Sequence, residues 1–320
     1  MVKSVYTWVT DAASVLHFNT LLPYSALKPE KFTATWGGPP YDWRDRNYDV
    51  IVGQRLADHQ PLWQEICADP NTLAVYSIDD DLTNIDPENV LPYSIYHPVV
   101  EGTKACIAAA DVVTVPTQAF AERMNQHNPN TAILPICIPD DMPYWDDPKA
   151  SQLTVGWSGS MFKHQDWPGV AEALAEYAAQ APGTRFHMIG HDYTRGLLGP
   201  RCYSDGWTDI ISSYHRYDFH IGLAPLRDSF FNALKSRTKL VEYGSRHIPT
   251  IASAVGEYVD WIEDGVNGFL VHDQADWVKH LLTLTNEPEL RESMAEAAYQ
   301  KACEATIGRN IHLWEAVYDA

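Results

Sequence analysis

The sequence predicts two α/β domains of the doubly wound, Rossmann-like class, joined by a short linker. Apolar strand segments alternate with helical segments through the first 134 residues, a pattern typical of a parallel sheet covered on both faces. Residues 135–149 then carry four prolines and four aspartates without periodicity, which is typical of a linker. The alternation begins again at Leu153, and 320 residues suffice for two such domains. We therefore predict a first domain at 1–148, a second at 149–305 and a closing helical segment at 306–320.

The first half contains six runs rich in apolar, β-branched and aromatic residues, and each run predicts a strand. These runs span residues 2–9, 31–36, 48–53, 73–78, 112–115 and 131–134. Helices are predicted between them, with Asp11 as a capping residue for the first. The predicted helices span residues 11–22, 61–68, 96–110 and 117–126.

The second half repeats this alternation, which predicts a second parallel sheet. Its predicted strands span residues 153–157, 185–190, 219–224 and 248–252. Asp166 and Pro168 are residue types that begin helices, so the next helix is expected to start near them. The predicted helices span residues 167–180, 209–216, 232–244, 258–263, 275–285, 287–304 and 309–318.

Composition excludes several classes of protein. The hydrophobic fraction of 45% and the charged fraction of 20% are those of an ordinary globular protein. No run of 18 apolar residues and no signal-peptide pattern occurs, so we expect no stable membrane insertion. Five scattered cysteines without a C-x-x-C spacing favour a reducing, cytoplasmic location. A net charge of −19 disfavours nucleic acid and anionic membranes as partners.

Residues 224–253 carry the most specific charge pattern in the chain. If one helix runs from residue 232 to residue 244, Lys235, Lys239 and Glu242 fall within about 60° of one another on its surface. A carboxylate beside two lysines can bind a sugar diol while the lysines bind phosphates. The alternative is a solvated helix face with charge pairs between successive turns.

The same segment carries a family resemblance. Residues 235–253 read K-x-x-x-K-x-x-E-Y-G-S-x-x-I-P-T-I-A-S, and residues 256–271 read GEYVDWIEDGVNGFLV. These motifs resemble the carboxy-terminal domain of the family 4 retaining glycosyltransferases, over roughly residues 150–320. The resemblance implies the GT-B fold, which has two facing doubly wound domains and a last helix that crosses back onto the first domain. It also implies that Glu242 binds the ribose of a nucleotide.

One position departs from that family pattern. Many family members carry a glutamate eight residues before the ribose glutamate, whereas this chain has Leu234 there. The preceding loop instead offers Asp228 and Asn232 as donor-binding candidates.

A glycine-containing segment after the strand at 153–157 is a second candidate for binding the nucleotide-sugar donor. Glycines let backbone N–H groups approach a phosphate, and a following helix adds a favourable dipole. By spacing alone, an ordinary strand-to-helix turn is the commoner explanation. The resemblance implies that the basic residue here meets the diphosphate, which assigns Lys163 to that role together with Gly159 and Ser160.

Three consecutive carboxylates, Asp79, Asp80 and Asp81, end the fourth predicted strand. Carboxyl ends of parallel strands face the ligand crevice, so these residues are candidates for binding an acceptor hydroxyl, with Asp80 as a catalytic carboxylate. Two alternatives are a D-x-D metal site and a simple turn and helix cap. His17 and His97 are further acceptor candidates, although a lone histidine is more often structural.

The expected function is transfer of a sugar from a nucleotide diphosphate to an acceptor hydroxyl, with retention implied by the resemblance. Lys163 and Lys235 would stabilise the leaving phosphate. No metal and no cofactor is expected, since the nucleotide sugar is the substrate. The acceptor is left open among a glycan, a protein and a modified nucleobase. Two other classes stay open, namely a non-catalytic nucleotide- or sugar-binding protein and a nucleotide-sugar epimerase or phosphorylase on the same fold.

Overall fold

The computed structural model describes residues 1–10, 14–57, 60–141, 148–206 and 215–320. The chain divides into two compact units. The first unit comprises Met1–Pro139, Leu234–Ser236 and Thr306–Ala320, and the second comprises Asp140–Ala233 and Arg237–Ala305. Three parts of the predictions lie outside the described residues: the helix start at 11–13, the linker core at 142–147 and most of the predicted helix at 209–216.

The first unit contains a six-stranded sheet in which all neighbouring strands are parallel. In sheet order the strands run β2-β1-β3-β4-β5-β6, so the direction of winding reverses between β1 and β3. Their bounds are Lys3–Trp8 (β1), Phe32–Gly37 (β2), Val50–Gln54 (β3), Leu73–Ser77 (β4), Val112–Val115 (β5) and Thr131–Ile133 (β6).

The second unit contains another six-stranded parallel sheet, in the order β12-β11-β10-β7-β8-β9. Counted from its own first strand, this is the 3-2-1-4-5-6 order of dinucleotide-binding folds, whose winding reverses between β7 and β10. The strand bounds are Thr154–Gly159 (β7), Arg185–Gly190 (β8), Cys202–Gly206 (β9), Ile221–Ala224 (β10), Thr250–Ser253 (β11) and Gly268–Val271 (β12). The predicted fold class, two doubly wound α/β domains, is confirmed.

Helices connect the strands, as parallel pairing requires. In the first unit the α-helices are Ser14–Leu16, Leu22–Ala26, Trp43–Arg46, Gln60–Cys67, Val90–Tyr96, Val100–Ala109, Gln118–Met124 and Ile307–Tyr318. In the second they are Val170–Gln180, Phe230–Ala233, Thr238–Ser245, Glu257–Trp261, Gln274–Asn286 and Pro288–Ala302. Among the described residues, no helix combines the length and apolar character needed to cross a membrane.

The last helix, Ile307–Tyr318, packs against the sheet of the first unit. Trp314 is 2% exposed and belongs to the same core cluster as Val5 and Val52. At the end of this helix, the backbone carbonyl of Tyr318 accepts a hydrogen bond from Lys3 Nζ at 2.9 Å. Burial of a whole tryptophan face fixes this helix on the unit formed by the amino-terminal residues.

Two strands of the second unit were not predicted. Strand β9 is an edge strand in which no residue is buried, so its sequence lacks the apolar run of a buried parallel strand. It is held to β8 in part by the ring of Tyr203, which stacks on His187 with centroids 4.3 Å apart. Strand β12 has only four residues and lies inside the glycine- and asparagine-containing motif, which hides its strand character.

The single helix predicted at 232–244 is wrong. The chain forms Phe230–Ala233 and Thr238–Ser245, and the residues between them are not helical. A continuous helix would join the Arg237 N–H to the Ala233 carbonyl. Instead, the Arg237 N–H donates to Glu257 Oε2 at 2.8 Å, and the Ala233 carbonyl lies against Gly256, where a Cβ atom would approach it to 2.7 Å.

Candidate functional site

The reversal point between β7 and β10 marks the ligand crevice expected for a doubly wound sheet. Two connecting segments, which we call loops, leave the carboxyl ends of these strands. One spans residues 160–166 and ends in a 3₁₀ turn, His164–Asp166; the other spans residues 225–232 and runs into the helix Phe230–Ala233. Sequence-predicted donor residues lie at this edge: Gly159, Ser160 and Lys163 at β7, and Asp228 and Asn232 after β10. The topology therefore brings these candidates together at the carboxyl ends of the two central strands of one sheet.

Close packing of aromatic rings covers the two central strands. Gly156 of β7 and Gly222 of β10 are register partners. A Cβ atom at Gly156 would lie 2.0 Å from the ring of Phe219, and one at Gly222 would lie 2.6 Å from the ring of Tyr243. The ring centroids of Phe219 and Tyr243 are 5.3 Å apart. Any side chain larger than glycine at these two positions would displace the rings.

Glu242 is buried beside this aromatic layer. It lies on the helix Thr238–Ser245 and is 1% exposed. Its Oε2 atom lies 2.5 Å from Lys239 Nζ and accepts a hydrogen bond from the Tyr217 hydroxyl at 3.2 Å. The Tyr217 oxygen also lies 3.1 Å from Ser158 Oγ on β7. This burial rules out the alternative of a solvated helix surface at Glu242, while Lys239 remains partly exposed.

Two tyrosines at this site keep their hydroxyl protons. Burial, reinforced by the negative charge of Glu242, raises the pKa of both Tyr217 and Tyr243 well above the ordinary value of 10.0. Tyr243 accepts a hydrogen bond from the Ser158 N–H at 2.9 Å. The phenols therefore act as neutral hydrogen-bonding groups around a single buried carboxylate.

Tyr193 shapes the loop after β7. Its hydroxyl donates to the Ser160 carbonyl at 2.9 Å and accepts from the Lys163 N–H at 2.9 Å. The Lys163 side chain is 32% exposed, and its Nζ atom lies 4.0 Å from Asp166 Oδ2. The backbone of this loop is thus fixed on both sides of its exposed residues Met161 and Phe162.

The expectation that Asp166 begins the next helix is wrong. That helix begins at Val170, and Gly169, with a φ angle of 81°, precedes it. Asp166 instead points its carboxylate into the loop after β10. Its Oδ1 atom accepts hydrogen bonds from the Arg227 N–H at 3.0 Å and from Asn232 Nδ2 at 2.7 Å. Asn232 also donates to the Arg227 carbonyl at 2.9 Å, which closes the loop on itself.

Lys235 does not share a helix face with Lys239 and Glu242, because the predicted helix is interrupted between them. Residues Leu234–Ser236 belong to the first compact unit. Within that unit, Lys235 Nζ lies 2.6 Å from Asp80 Oδ1. The helical-wheel argument therefore holds for Lys239 and Glu242 and fails for Lys235.

The three carboxylates after β4 are all paired with cations. Arg55 Nε lies 2.6 Å from Asp79 Oδ1, and Arg55 NH2 lies 3.5 Å from Asp80 Oδ2. The Asp81 side chain is fully buried, and its Oδ2 atom lies 3.1 Å from Arg123 Nε. Asp81 also accepts the Thr83 N–H at 3.0 Å, which is the turn arrangement weighed as an alternative.

The two candidate histidines have different surroundings. His17 is 9% exposed and belongs to a π-helical turn, His17–Leu21. His97 is exposed, and its ring stacks on Tyr93 with centroids 4.4 Å apart. The helix expected at 96–110 begins at Val90 instead and is broken by a 3₁₀ turn, His97–Val99.

Sequence reasoning missed four residues of the second unit's site: Ser158, Asp166, Tyr217 and Tyr243. Their signal is not a motif, because their contacts join segments that are distant in sequence. Only Tyr243, which adjoins Glu242 in the family-like motif, could have been found from its position. Within the part of the chain that the structure describes, no group of three or more His, Cys, Asp or Glu side chains is arranged to hold a metal ion.

Comparisons with known proteins agree with this architecture. Residues 152–287 match the family model described as Glycosyl transferases group 1. No curated protein sequence matches the chain. A solved structure of TarM is 15% identical in sequence, with a TM-score of 0.67 over 88% of this chain. A mutant of TarM from S. aureus gives a similar match, with a TM-score of 0.65. This chain spans only 57% of the TarM chain.

Two further solved structures match along nearly the whole chain. Anabaena Alr3699/HepE in complex with UDP-glucose is 14% identical, with a TM-score of 0.72 and full coverage of both chains. Sucrose-phosphate synthase from Thermosynechococcus elongatus is 13% identical, with a TM-score of 0.68, covering 99% of this chain and 96% of its own. The chain therefore has the fold of the GT-B glycosyltransferases, and its residues 152–287 match the Glycosyl transferases group 1 family.

Proposed function

We propose that this protein is a glycosyltransferase that moves a sugar from a nucleotide diphosphate to an acceptor hydroxyl, with retention at the anomeric carbon. The observation that carries the proposal is the buried Glu242–Lys239 pair of the second unit, within the residues that match the family model. A buried carboxylate with a movable cation suits a ligand that brings both hydroxyls and phosphates. The solved structure of Alr3699/HepE holds UDP-glucose, which makes uridine diphosphate sugars the first donors to test.

Donor binding exchanges the partners of this pair. Glu242 is 1% exposed, whereas the Lys239 side chain is 22% exposed. Lys239 is therefore the partner that moves: its ammonium turns to the diphosphate, and the ribose hydroxyls take its place on the carboxylate. Hydrogen bonds to a charged acceptor contribute about 1.5–3 kcal/mol each. The ribose hydroxyls therefore replace the stabilisation that the buried carboxylate of Glu242 loses when Lys239 moves away.

The exposed loops bind the rest of the donor. Lys163, with Gly159 and Ser160, lies at the carboxyl end of β7 and meets the diphosphate. We assign the sugar to the loop after β10, where Asp228 is exposed and the buried Asn232 holds the loop through Asp166 and the Arg227 carbonyl. Preorganised positive charge from Lys163, with the Lys239 ammonium as a second cation, stabilises the leaving phosphate. That phosphate accepts the acceptor's proton, so no metal ion and no cofactor is needed.

The first unit binds the acceptor through the residues that follow β4. Asp80 is the most exposed of the three carboxylates, at 30% against 21% for Asp79 and 0% for Asp81. We therefore assign the acceptor hydroxyl to Asp80, with Asp79 and Asp81 holding the surrounding cations. His17 and His97 remain acceptor candidates. The net charge of −19 favours a glycan or protein acceptor over a nucleobase in a polyanion.

The test begins with a thermal-shift screen of nucleotide sugars, since a ligand at 100 times its dissociation constant adds about 2.7 kcal/mol of stability. Calorimetric titration of UDP then compares the parent with Glu242→Gln. The variant keeps the shape but loses the charge, and UDP binding should weaken roughly 10- to 100-fold. Glu263→Gln makes the same chemical change at an exposed position and should bind like the parent.

Three outcomes would redirect the proposal. Unchanged UDP affinity in Glu242→Gln removes Glu242 from the nucleotide site. Binding without transfer to any acceptor in a glycan and protein screen identifies a non-catalytic binding protein. Loss of turnover in EDTA with recovery in manganese contradicts the metal-independent mechanism.

A further inference from the structure

The two loops at the reversal point of the second unit are joined by a buried carboxylate. The Asp166 side chain is 6% exposed, although it belongs to a loop. Burying a carboxylate is unfavourable unless it is paired and hydrogen-bonded. Asp166 meets that condition through residues of the two carboxyl-end loops: Lys163 on one side, and Arg227 and Asn232 on the other.

The two carboxylate oxygens of Asp166 contact different loops. Oδ1 takes a backbone N–H and a side-chain amide from the loop after β10, and these contacts fix the loop at both Arg227 and Asn232. Oδ2 lies 4.0 Å from the ammonium of Lys163 in the loop after β7. One side chain thus sets the distance between a phosphate-binding candidate and a sugar-binding candidate.

We propose that Asp166 is a positioning residue for the donor, which holds the loop at 225–232 and Lys163 in the arrangement that accepts the sugar end of a nucleotide sugar. This inference rests on the proposed function. Asp166 acts through its neighbours and does not touch the ribose, which is assigned to Glu242. Its loss should therefore reduce the advantage of a nucleotide sugar over the free nucleotide, while the binding of the free nucleotide persists.

The chain contains a matched control for the contact geometry. Asp69 Oδ1, in the first unit, accepts the Asn71 N–H at 2.9 Å and Asn71 Nδ2 at 3.1 Å. These are the same two kinds of hydrogen bond that Asp166 Oδ1 accepts. Asp69→Ala therefore removes the same two kinds of hydrogen bond in the first unit, before the amino end of β4.

The first experiment measures amide hydrogen exchange in the free protein. Asp166→Ala should increase exchange at Arg227 and Asn232, whereas Asp166→Asn, which keeps an acceptor oxygen, should stay close to the parent. Calorimetry with UDP and UDP-glucose follows. Asp166→Ala should weaken UDP-glucose binding by about tenfold and UDP binding by less than about threefold. Asn232→Ala should behave like Asp166→Ala, Asp166→Asn should restore UDP-glucose binding, and Asp69→Ala should match the parent.

Equal losses for UDP and UDP-glucose in Asp166→Ala would overturn the inference, because Asp166 would then have no effect specific to the sugar end of the donor. Parent-like binding of UDP-glucose by Asp166→Ala would also overturn it and would leave the proposed function intact. If the parent binds none of the nucleotide sugars in the thermal-shift screen, the proposed function fails and the donor role of Asp166 fails with it. The exchange experiment would then still decide whether Asp166 holds the loop.

Discussion

The Glu242–Lys239 pair makes a quantitative prediction about stability, because its two partners are buried to different degrees. Glu242 is 1% exposed, and the Lys239 side chain is 22% exposed, with 2.5 Å between Oε2 and Nζ. Removing Lys239 leaves a carboxylate out of reach of water, whereas removing the charge of Glu242 leaves an ammonium that can regain water. Breaking a buried pair by removing one partner costs about 3–5 kcal/mol.

Lys239→Met should therefore lower the free energy of unfolding by about 3–4 kcal/mol, close to the full cost of a stranded buried charge. Glu242→Gln should lower it by only about 2 kcal/mol, because the Tyr217 hydroxyl keeps an oxygen acceptor. The double variant should cost less than the sum, with a coupling energy of about 2 kcal/mol. Urea unfolding followed by tryptophan fluorescence measures all three values.

The order of the two single variants decides the matter. If Glu242→Gln proves more destabilising than Lys239→Met, the burial difference does not control the pair. A coupling energy within error of zero would show that the two side chains do not interact in solution, and the partner exchange proposed for donor binding would lose its basis.

Three further predictions concern other parts of the chain. Burial, with the nearby charges of Arg246 and Arg291, lowers the pKa of Lys149 from 10.5 to about 7. The unfolded chain then binds more protons, so stability should rise from about pH 7 towards pH 10, and Lys149→Met should flatten that rise in pH-dependent urea unfolding. Trp314→Ala should cost about 3–5 kcal/mol, while Trp36→Ala, at a 49% exposed position, should cost little; equal losses would contradict the packing of the last helix. Asp81→Asn should lower the free energy of unfolding by about 2–3 kcal/mol in the same assay. An unchanged free energy would show that the Asp81–Arg123 ion pair does not stabilise the fold.

The positions of most strands were predictable because burial on both faces forces apolar runs. Strands such as β3 and β5 are largely buried and stand out through short β-branched runs, Val-Ile-Val in β3 and Val-Val-Thr-Val in β5. The edge strand β9 could not be found this way, since half of its surface faces solvent. Resemblance to a family, rather than periodicity, singled out Glu242.

The interrupted helix shows where local periodicity fails. Residues 232–244 have a consistent amphipathic pattern, and nothing within them marks a break. The break involves residues more than ten positions further along the chain: Glu257 accepts the Arg237 N–H, and Gly256 lies against the Ala233 carbonyl. Asp166 was misassigned for a similar reason: its sequence position suits a helix cap, but its partners come from the loop after β10. In both cases, tertiary contacts with residues distant in sequence outweighed the local helix propensity.

The paired glycines of β7 and β10 restrict how this protein can evolve. With aromatic rings pressed against both Gly156 and Gly222, substitution there displaces the layer that surrounds Glu242, so a mutational scan should recover almost only glycine at the two positions. Ser158, Tyr217 and Tyr243 are joined by hydrogen bonds and should tolerate change nearly as poorly. Within the loops at 160–166 and 225–232, the exposed residues Met161, Phe162 and Phe230 carry no such restriction, in contrast to the buried Asp166 and Asn232. Substitutions that adapt the protein to new ligands would therefore accumulate at the exposed loop positions. The two glycines and the aromatic rings beside them would stay unchanged in descendants of the sequence.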